Sequence, residues 1–300
     1  MEIRVLRYFL AVVNERNISH AAQKLHISQP TISRQIQDLE AELGVQLFQR
    51  GHRRLSLTPA GNYFADQARQ IVALADKTLN NIQPSTTLQG EVLIGCAEAP
   101  MIVTIAQATK QLQKQAPQIR VNLHSSDANE VHQQLQNGVL DFGVVMEPTA
   151  KTDYHFLSLP GTTSWGVLVR RDSPLAKKAT IKAPDLRNEP VILPQQLGNR
   201  DLLADWLGSN DSQPKVVASY NLIYNASLLA LNRVGVVVGL NGIINPTNTE
   251  LTFIPLSPRL EAHSSLIWSR IQPLSPAAQA FLKSIQTFLP QSTASFSPPV

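Results

Sequence analysis

Three hundred residues exceed what one compact core usually holds, and at about 150 residues per domain they imply two domains or more. The net charge of +4 is unevenly placed: residues 1–58 carry eight basic against five acidic side chains, residues from 91 onward 16 against 15, so a basic surface is expected only at the N-terminal end. The single cysteine, Cys96, excludes an internal disulfide framework and a paired-cysteine zinc site.

In the opening stretch MEIRVLRYFLAVVNE, charges interrupt the apolar positions and no cleavage site follows, so neither a signal peptide nor a membrane span is expected, and the expected compartment is the cytoplasm. Ile3, Leu6, Phe9, Leu10 and Val13 recur at helical spacing and predict a first helix of roughly three turns. Ser19 is a candidate cap for a short second helix running to Leu25, where Ala21 and Ala22 are small enough for close approach of another helix. Ser28 is a candidate cap for a third helix, with Pro30 tolerated in its first turn and Gly44 suited to its stop. Ile32, Ile36, Leu39 and Leu43 form its apolar stripe, which leaves Gln29, Thr31, Ser33, Arg34 and Gln37 facing outward.

The run LFQRGHRRLSLTPAG predicts two short strands around a basic tip at Gly51 to Arg54, and Thr58-Pro59 then opens a long helix. Its apolar positions Phe64, Ala68, Ile71, Leu74, Ala75, Leu79 and Ile82 persist until Pro84. A helix of about 37 Å is too long to hide against one small domain, so a second copy is the expected partner for its stripe.

The segment PSTTLQG, 84–90, reads as a hinge. Beyond it, strands are expected at EVLIGCA, RVNLHS, LDFGVVM, WGVLVRR, PVILP, KVVASY and GVVVGL. Helices are expected near 101–115, 128–137, 200–207 and 222–233. The alternation predicts an α/β domain with largely parallel sheets. The closing QSTASFSPPV has the composition of a disordered tail.

Two short helices joined by a tight turn, the second with small polar residues and Arg34 at its start, form a helix-turn-helix signal. Such side chains reach base edges and phosphates, whereas acids there would be repelled. The basic tip at Arg50, His52, Arg53 and Arg54 strengthens the case, because a small hairpin of this kind lies on the phosphate backbone or enters the minor groove. An exposed helix face in an ordinary bundle and a soluble charged turn are the bland alternatives. The seven histidines lack metal-ligand spacing, no Gly-rich phosphate loop follows a strand, and no G-x-S-x-G elbow occurs, so neither metal nor cofactor nor enzymatic activity is expected. Cys96, alone at a strand end, fits a small buried hydrophobe better than a redox sensor.

The run AAQKLHISQPTISRQIQDLEAELGVQLFQR, continuing into LSLTPAG, resembles the N-terminal end of the LysR-type transcriptional regulators, and the region beyond is similar in pattern to that family's effector-binding domain, best at LQNGVLDFGVV and from Asn221 to Leu240. The resemblance implies an all-α winged helix-turn-helix (1–58), a linker helix and hinge for dimerisation (59–90), and an α/β effector domain of two subdomains, similar to periplasmic solute-binding proteins (91–300). Subdomain I would be 91–161 plus 268–300 and subdomain II 162–267, with crossings near Pro160-Gly161 and Leu266-Trp268. It also implies that Ser28 at the helix start, with Gln29, Pro30, Ser33 and Arg34 facing the major groove and Thr31 and Gln35 nearby, forms the DNA-binding set, completed by Arg53 in the wing. Thr31 stands where the family more usually carries alanine. The implied partners are double-stranded promoter DNA, a small-molecule effector of unknown identity, further copies in a homodimer or homotetramer, and RNA polymerase.

In such folds ligands sit between subdomains, at loops following strands and at helix N-termini. Position places Cys96, Ala97, Glu98, Ser126, Asp127, Glu147, Gln195, Asn199, Asn221 and Tyr224 as candidate effector-binding residues, although each also fits a capping or loop role. Two acids, Glu98 and Asp127, disfavour an anion and point to a cationic or neutral polar ligand, unless a basic side chain such as Arg200 pairs with them. The rival functions are a cytoplasmic solute-binding protein and a small-molecule enzyme, both without DNA binding.

Overall fold

The computed structural model describes residues 1–50, 55–82, 88–149, 151–208 and 214–289, with the side chains at 50, 80–82 and 197–200 left out. The expected tip at His52, Arg53 and Arg54, most of the expected hinge and the Ser/Pro-rich tail lie outside the described residues. The chain divides into two units, Met1–Pro84 and Ser85–Val300.

In the first unit, α1 (Ile3–Glu15), α2 (Ile18–Lys24) and α3 (Gln29–Leu43) precede a two-stranded antiparallel ribbon, β1 (Phe48–Arg50) and β2 (Leu55–Leu57), and a long helix, α4 (Pro59–Ile82). Phe9 is fully buried and anchors the core, its ring 5.3 Å from Phe48 and 5.1 Å from Phe64. Burying one such side chain contributes about 1.5–3 kcal/mol. Ala21 and Ala22 are also buried, as close packing of α2 requires. The cap of α2 is Asn17 and not Ser19: Asn17 is extended, and its side-chain oxygen accepts from the Ser19 and His20 amides at 2.8 and 3.1 Å. Ser28 caps α3 by accepting the Thr31 amide at 3.3 Å, and Gly44 ends that helix with φ +68°.

The start of α4 is locked to the ribbon. Thr58 Oγ1 donates to Gln46 O at 2.7 Å and accepts the Gly61 amide at 2.9 Å. A Cβ at Gly61 would lie 2.0 Å from Leu47 O, so only glycine lets helix and turn approach this closely. Ala65 and Ala68 of α4 are buried, but Leu74 and Leu79 further along are 43% and 59% exposed.

The second unit begins with β3 (Gln89–Cys96), α5 (Ile102–Gln115), β4 (Gln118–Ser125), α6 (Ala128–Gln136), β5 (Phe142–Met146) and β6 (Tyr154–Ser158). There follow β7 (Thr163–Arg170), a 3-10 turn (Pro174–Lys177), α7 (Ala183–Leu186), β8 (Pro190–Pro194), α8 (Leu197–Leu207), β9 (Lys215–Tyr220), α9 (Ile223–Leu231) and β10 (Val236–Leu240). The chain then adds β11 (Leu251–Pro255), β12 (Glu261–Ala262), β13 (Ser264–Ser269) and α10 (Pro276–Gln286). Two sheets result, in orders β4-β3-β5-β13-β6 and β11-β7-β10-β8-β9, with β12 on β7.

Each sheet is mixed where largely parallel sheets were expected. Strands β4, β3 and β5 run parallel and β13 runs antiparallel to β5 and β6; β9, β8 and β10 run parallel and β7 runs antiparallel to β10 and β11. The chain passes from the first sheet to the second between β6 and β7, around Pro160-Gly161. It returns between Ala262 and Ser264, earlier than the Leu266-Trp268 crossing expected from the sequence. Leu266 and Ile267 lie inside β13, fully buried and paired on both sides, so the subdomain boundary falls before them.

Candidate functional site

The start of α3 presents the first set of candidate side chains. Ile32, Ile36 and Leu39 hold the helix to its core. On the other face Gln29, Pro30, Thr31 and Arg34 are exposed, with Ser33 and Gln35 partly covered. Ser28 and Thr31 share a 2.7 Å hydroxyl contact, so both are already committed to the cap. Arg34 is 83% exposed and only 3.9 Å from Asp38, a pair that solvent weakens and that leaves the guanidinium free to reach outward.

Glu40 was not expected to matter. It is buried at the far end of α3, where its carboxylate accepts the Leu47 and Phe48 amides at 2.7 and 3.1 Å. An acid among outward-facing acids carries no sequence signal of its own; burial is what distinguishes it from Asp38 and Glu42.

The second set lies in the Ser85–Val300 unit, between its two sheets. Loops after the parallel strands β3, β4, β8 and β9 converge on a cavity of about 60 Å³, space for roughly four to six water molecules. Ala97, Glu98, Ser126, Asp127, Gln195 and Asn221 line it, as position suggested. Cys96 does not: it is buried and absent from the lining, and burial together with the Glu98 charge pushes its thiol pKa up, away from a reactive thiolate. Glu147 is also elsewhere, its carboxylate taken by Lys151 and by the Ser265 hydroxyl. Tyr224 is 62% exposed and outside the lining. Asn199 lies in α8, but its side chain is outside the described residues, as is that of Arg200.

The lining also contains Met146, Trp165, Tyr220, Leu240 and Ile243, none of them singled out in the sequence. Trp165 is 2% exposed and its indole Nε1 has no hydrogen-bond partner among the described residues. Tyr220 donates its hydroxyl to Val238 O at 2.8 Å, and burial, with the Glu98 charge adding, pushes its pKa up.

Polar groups in the lining are largely committed to helix starts. Asp127 caps α6 through the Glu130 amide at 3.0 Å, and Asn221 Oδ1 accepts the Leu222 amide at 2.9 Å. Glu98, on the loop after β3, accepts the Ile223 amide at the first residue of α9 at 3.2 Å, thereby joining the two subdomains across the cleft. Beside it, the positive φ of Gly242 brings that turn against Pro100, where a Cβ would meet Pro100 Cγ at 3.0 Å. No lysine, arginine or histidine occurs among the described lining residues.

Comparisons with known proteins cover both units. Residues 3–62 match the model described as bacterial regulatory helix-turn-helix protein, lysR family, and residues 85–290 match LysR substrate binding domain. The Hca operon transcriptional activator HcaR of Escherichia coli (strain K12) is 28% identical over 301 residues, covering 98% of this chain and 100% of that protein. The HTH-type transcriptional regulator ClcR of Pseudomonas putida is 33% identical over 253 residues, covering 79% and 82%. Among solved structures, that of CbnR, a LysR family transcriptional regulator, superposes with a TM-score of 0.74 at 22% identity, over 97% of this chain and 100% of that one. Full-length CbnR complexed with its target DNA superposes with a TM-score of 0.69 over 96% and 99%. The chain belongs to the LysR family: it is a DNA-binding transcriptional regulator and not an enzyme, with a helix-turn-helix unit for promoter DNA and a substrate-binding domain for a small-molecule effector.

Proposed function

We propose that the first turns of α3 read the promoter, with Gln29, Pro30, Ser33 and Arg34 toward the major groove, Thr31 and Gln35 beside them, Ser28 at the helix start and Arg53 in the wing. The observation that carries this reading is the two-sidedness of α3: Ile32, Ile36 and Leu39 are buried while Gln29, Pro30, Thr31 and Arg34 stand exposed behind a Ser28 cap. Residues 1–58 then serve DNA binding, 59–90 dimerisation, and the remainder effector binding. The exposed Leu74 and Leu79 on α4 supply the face for a second copy, in a homodimer or a homotetramer.

The cavity between the sheets is the effector site, with Ala97, Glu98, Ser126, Asp127, Gln195 and Asn221 in contact with the ligand. Effector binding favours one arrangement of the two subdomains over another, and so changes DNA bending or polymerase contact; equal affinity for both arrangements would regulate nothing. The protein acts in the cytoplasm. A mobility-shift assay with the DNA upstream of its own coding sequence tests the reading. Saturable binding that a shuffled fragment of the same length does not compete supports it; equal affinity for the two fragments contradicts it.

A further inference from the structure

The long helix α4 is held to the rest of its unit in two different ways along its length. Phe64, Ala65, Ala68 and Val72 pack into the core built on Phe9, and among the described residues no apolar side chain of α4 beyond Val72 joins that core. One turn further on, at the same four-residue step, stands Asp76. Its carboxylate takes both arms of the Arg7 guanidinium: Nη1 donates to Oδ2 at 3.2 Å, and Nη2 donates to Oδ1. Arg7 lies on α1 between the buried Leu6 and Phe9, and α1 in turn packs against α3, so the base of this fork is fixed in the core. The two side chains are 42% and 45% exposed, and such a pair contributes little to folding. It still fixes direction, because two parallel bonds admit only one orientation of guanidinium and carboxylate.

We propose that Arg7 and Asp76 form a strut that sets the direction of the outer half of α4 relative to α3, and through it the half-site spacing that a dimer accepts on DNA. This rests on reading α3 as the helix that reads the promoter and α4 as the helix that pairs with a second copy. Leu74 and Leu79, the exposed residues of that pairing face, lie on either side of Asp76 along the chain. The separation of two recognition helices follows from the geometry of their dimer, and half-sites must match it. In a two-fold pair, any change in the angle between α3 and the α4 face acts once in each subunit. Without the strut, the packing from Phe64 to Val72 alone directs α4. A small rocking there is amplified along the helix into a range of separations between the two reading helices.

The test measures DNA affinity of the full chain as a function of spacing. Footprinting on the upstream DNA locates the protected segment, and binding at physiological salt is then compared between that segment and versions lengthened or shortened at its centre by one or two base pairs. The parent should favour the native spacing. Arg7→Ala and Asp76→Asn should each lower the ratio of native to altered-spacing affinity at least about threefold, the scale of an exposed ion pair, with circular dichroism and sedimentation unchanged. The exchange Arg7→Asp with Asp76→Arg should bring the ratio back toward the parent's. A parent-like ratio in both single variants, or an exchange variant no better than either, would overturn the strut. So would Arg7→Ala weakening every spacing equally while Asp76→Asn binds more tightly, since that is the pattern of an arginine on a phosphate. The two readings fail separately. A parent that binds the upstream DNA with no spacing preference or none of the saturation expected defeats the promoter and pairing reading, and the strut with it; a parent with a clear preference that both variants share defeats the strut alone.

Discussion

Glu40 accepts the amide of Leu47 at 2.7 Å from a buried position, tying the far end of α3 to the residue before β1. Its second bond, from Phe48, sets the first residue of β1, so one side chain joins α3 to the ribbon. Removing a buried acceptor leaves two amides without partners, at a cost of about 1–3 kcal/mol each. Glu40→Ala should therefore lower the melting temperature of the helix-turn-helix unit by roughly 10 °C or more. Glu40→Gln, which keeps an acceptor oxygen, should lose distinctly less in the same thermal denaturation followed by circular dichroism. Equal loss in both variants would show that the charge, and not the acceptor, is what the amides require.

The exposed face of α4 leads to a prediction about assembly. Leu74 and Leu79 point away from the core of their own unit, and a charge placed there costs little in an isolated chain but much in an apolar helix pair. Leu74→Asp should shift the protein from dimer or tetramer toward monomer in sedimentation velocity, while leaving helical content unchanged. A parent-like sedimentation profile would place the interface elsewhere.

His132 should give the stability of the Ser85–Val300 unit a pH dependence of definite sign. Its ring packs edge-on against Tyr154 at 4.9 Å and lies 3.2 Å from the Thr149 hydroxyl, and burial holds its pKa below the ordinary 6.5. The unfolded chain thus takes up the proton before the folded one, so stability is complete above the unfolded pKa and falls as pH drops through it. Urea midpoints should decrease from about pH 7.5 to about pH 5.5, and His132→Phe should flatten that decrease. A slope unaltered in His132→Phe would assign the effect to other groups.

Local rules carried most of what the sequence revealed. Ser28, Gly44 and Thr58-Pro59 were legible as helix ends because a cap is decided within a few residues, and the apolar stripe of α3 gave away its exposed face. Asn17 was missed for Ser19 because both can cap and only the backbone geometry separates them. What depended on strand pairing was harder to read. Leu266 to Trp268 looked like a crossing, yet its place in β13 is set by two antiparallel neighbours distant in sequence. Trp165 sits in a strand buried along nearly its whole length, and nothing in that run shows which side chain meets the cavity. Glu98 and Asp127 were found because they follow strands; that Glu98 reaches across to α9 required the fold.

Arg34 bears most directly on the central claim, since its exposed guanidinium at the start of α3 makes, among the described residues, only a weak pair with Asp38. Fluorescence anisotropy with labelled upstream DNA at physiological salt measures it. An arginine reading a base contributes about 1–3 kcal/mol, so Arg34→Ala should bind at least about tenfold more weakly, with Ser33→Ala also impaired and the circular dichroism of both unchanged. Parent-like DNA affinity in both variants would contradict the assignment of α3 as the element that reads the promoter.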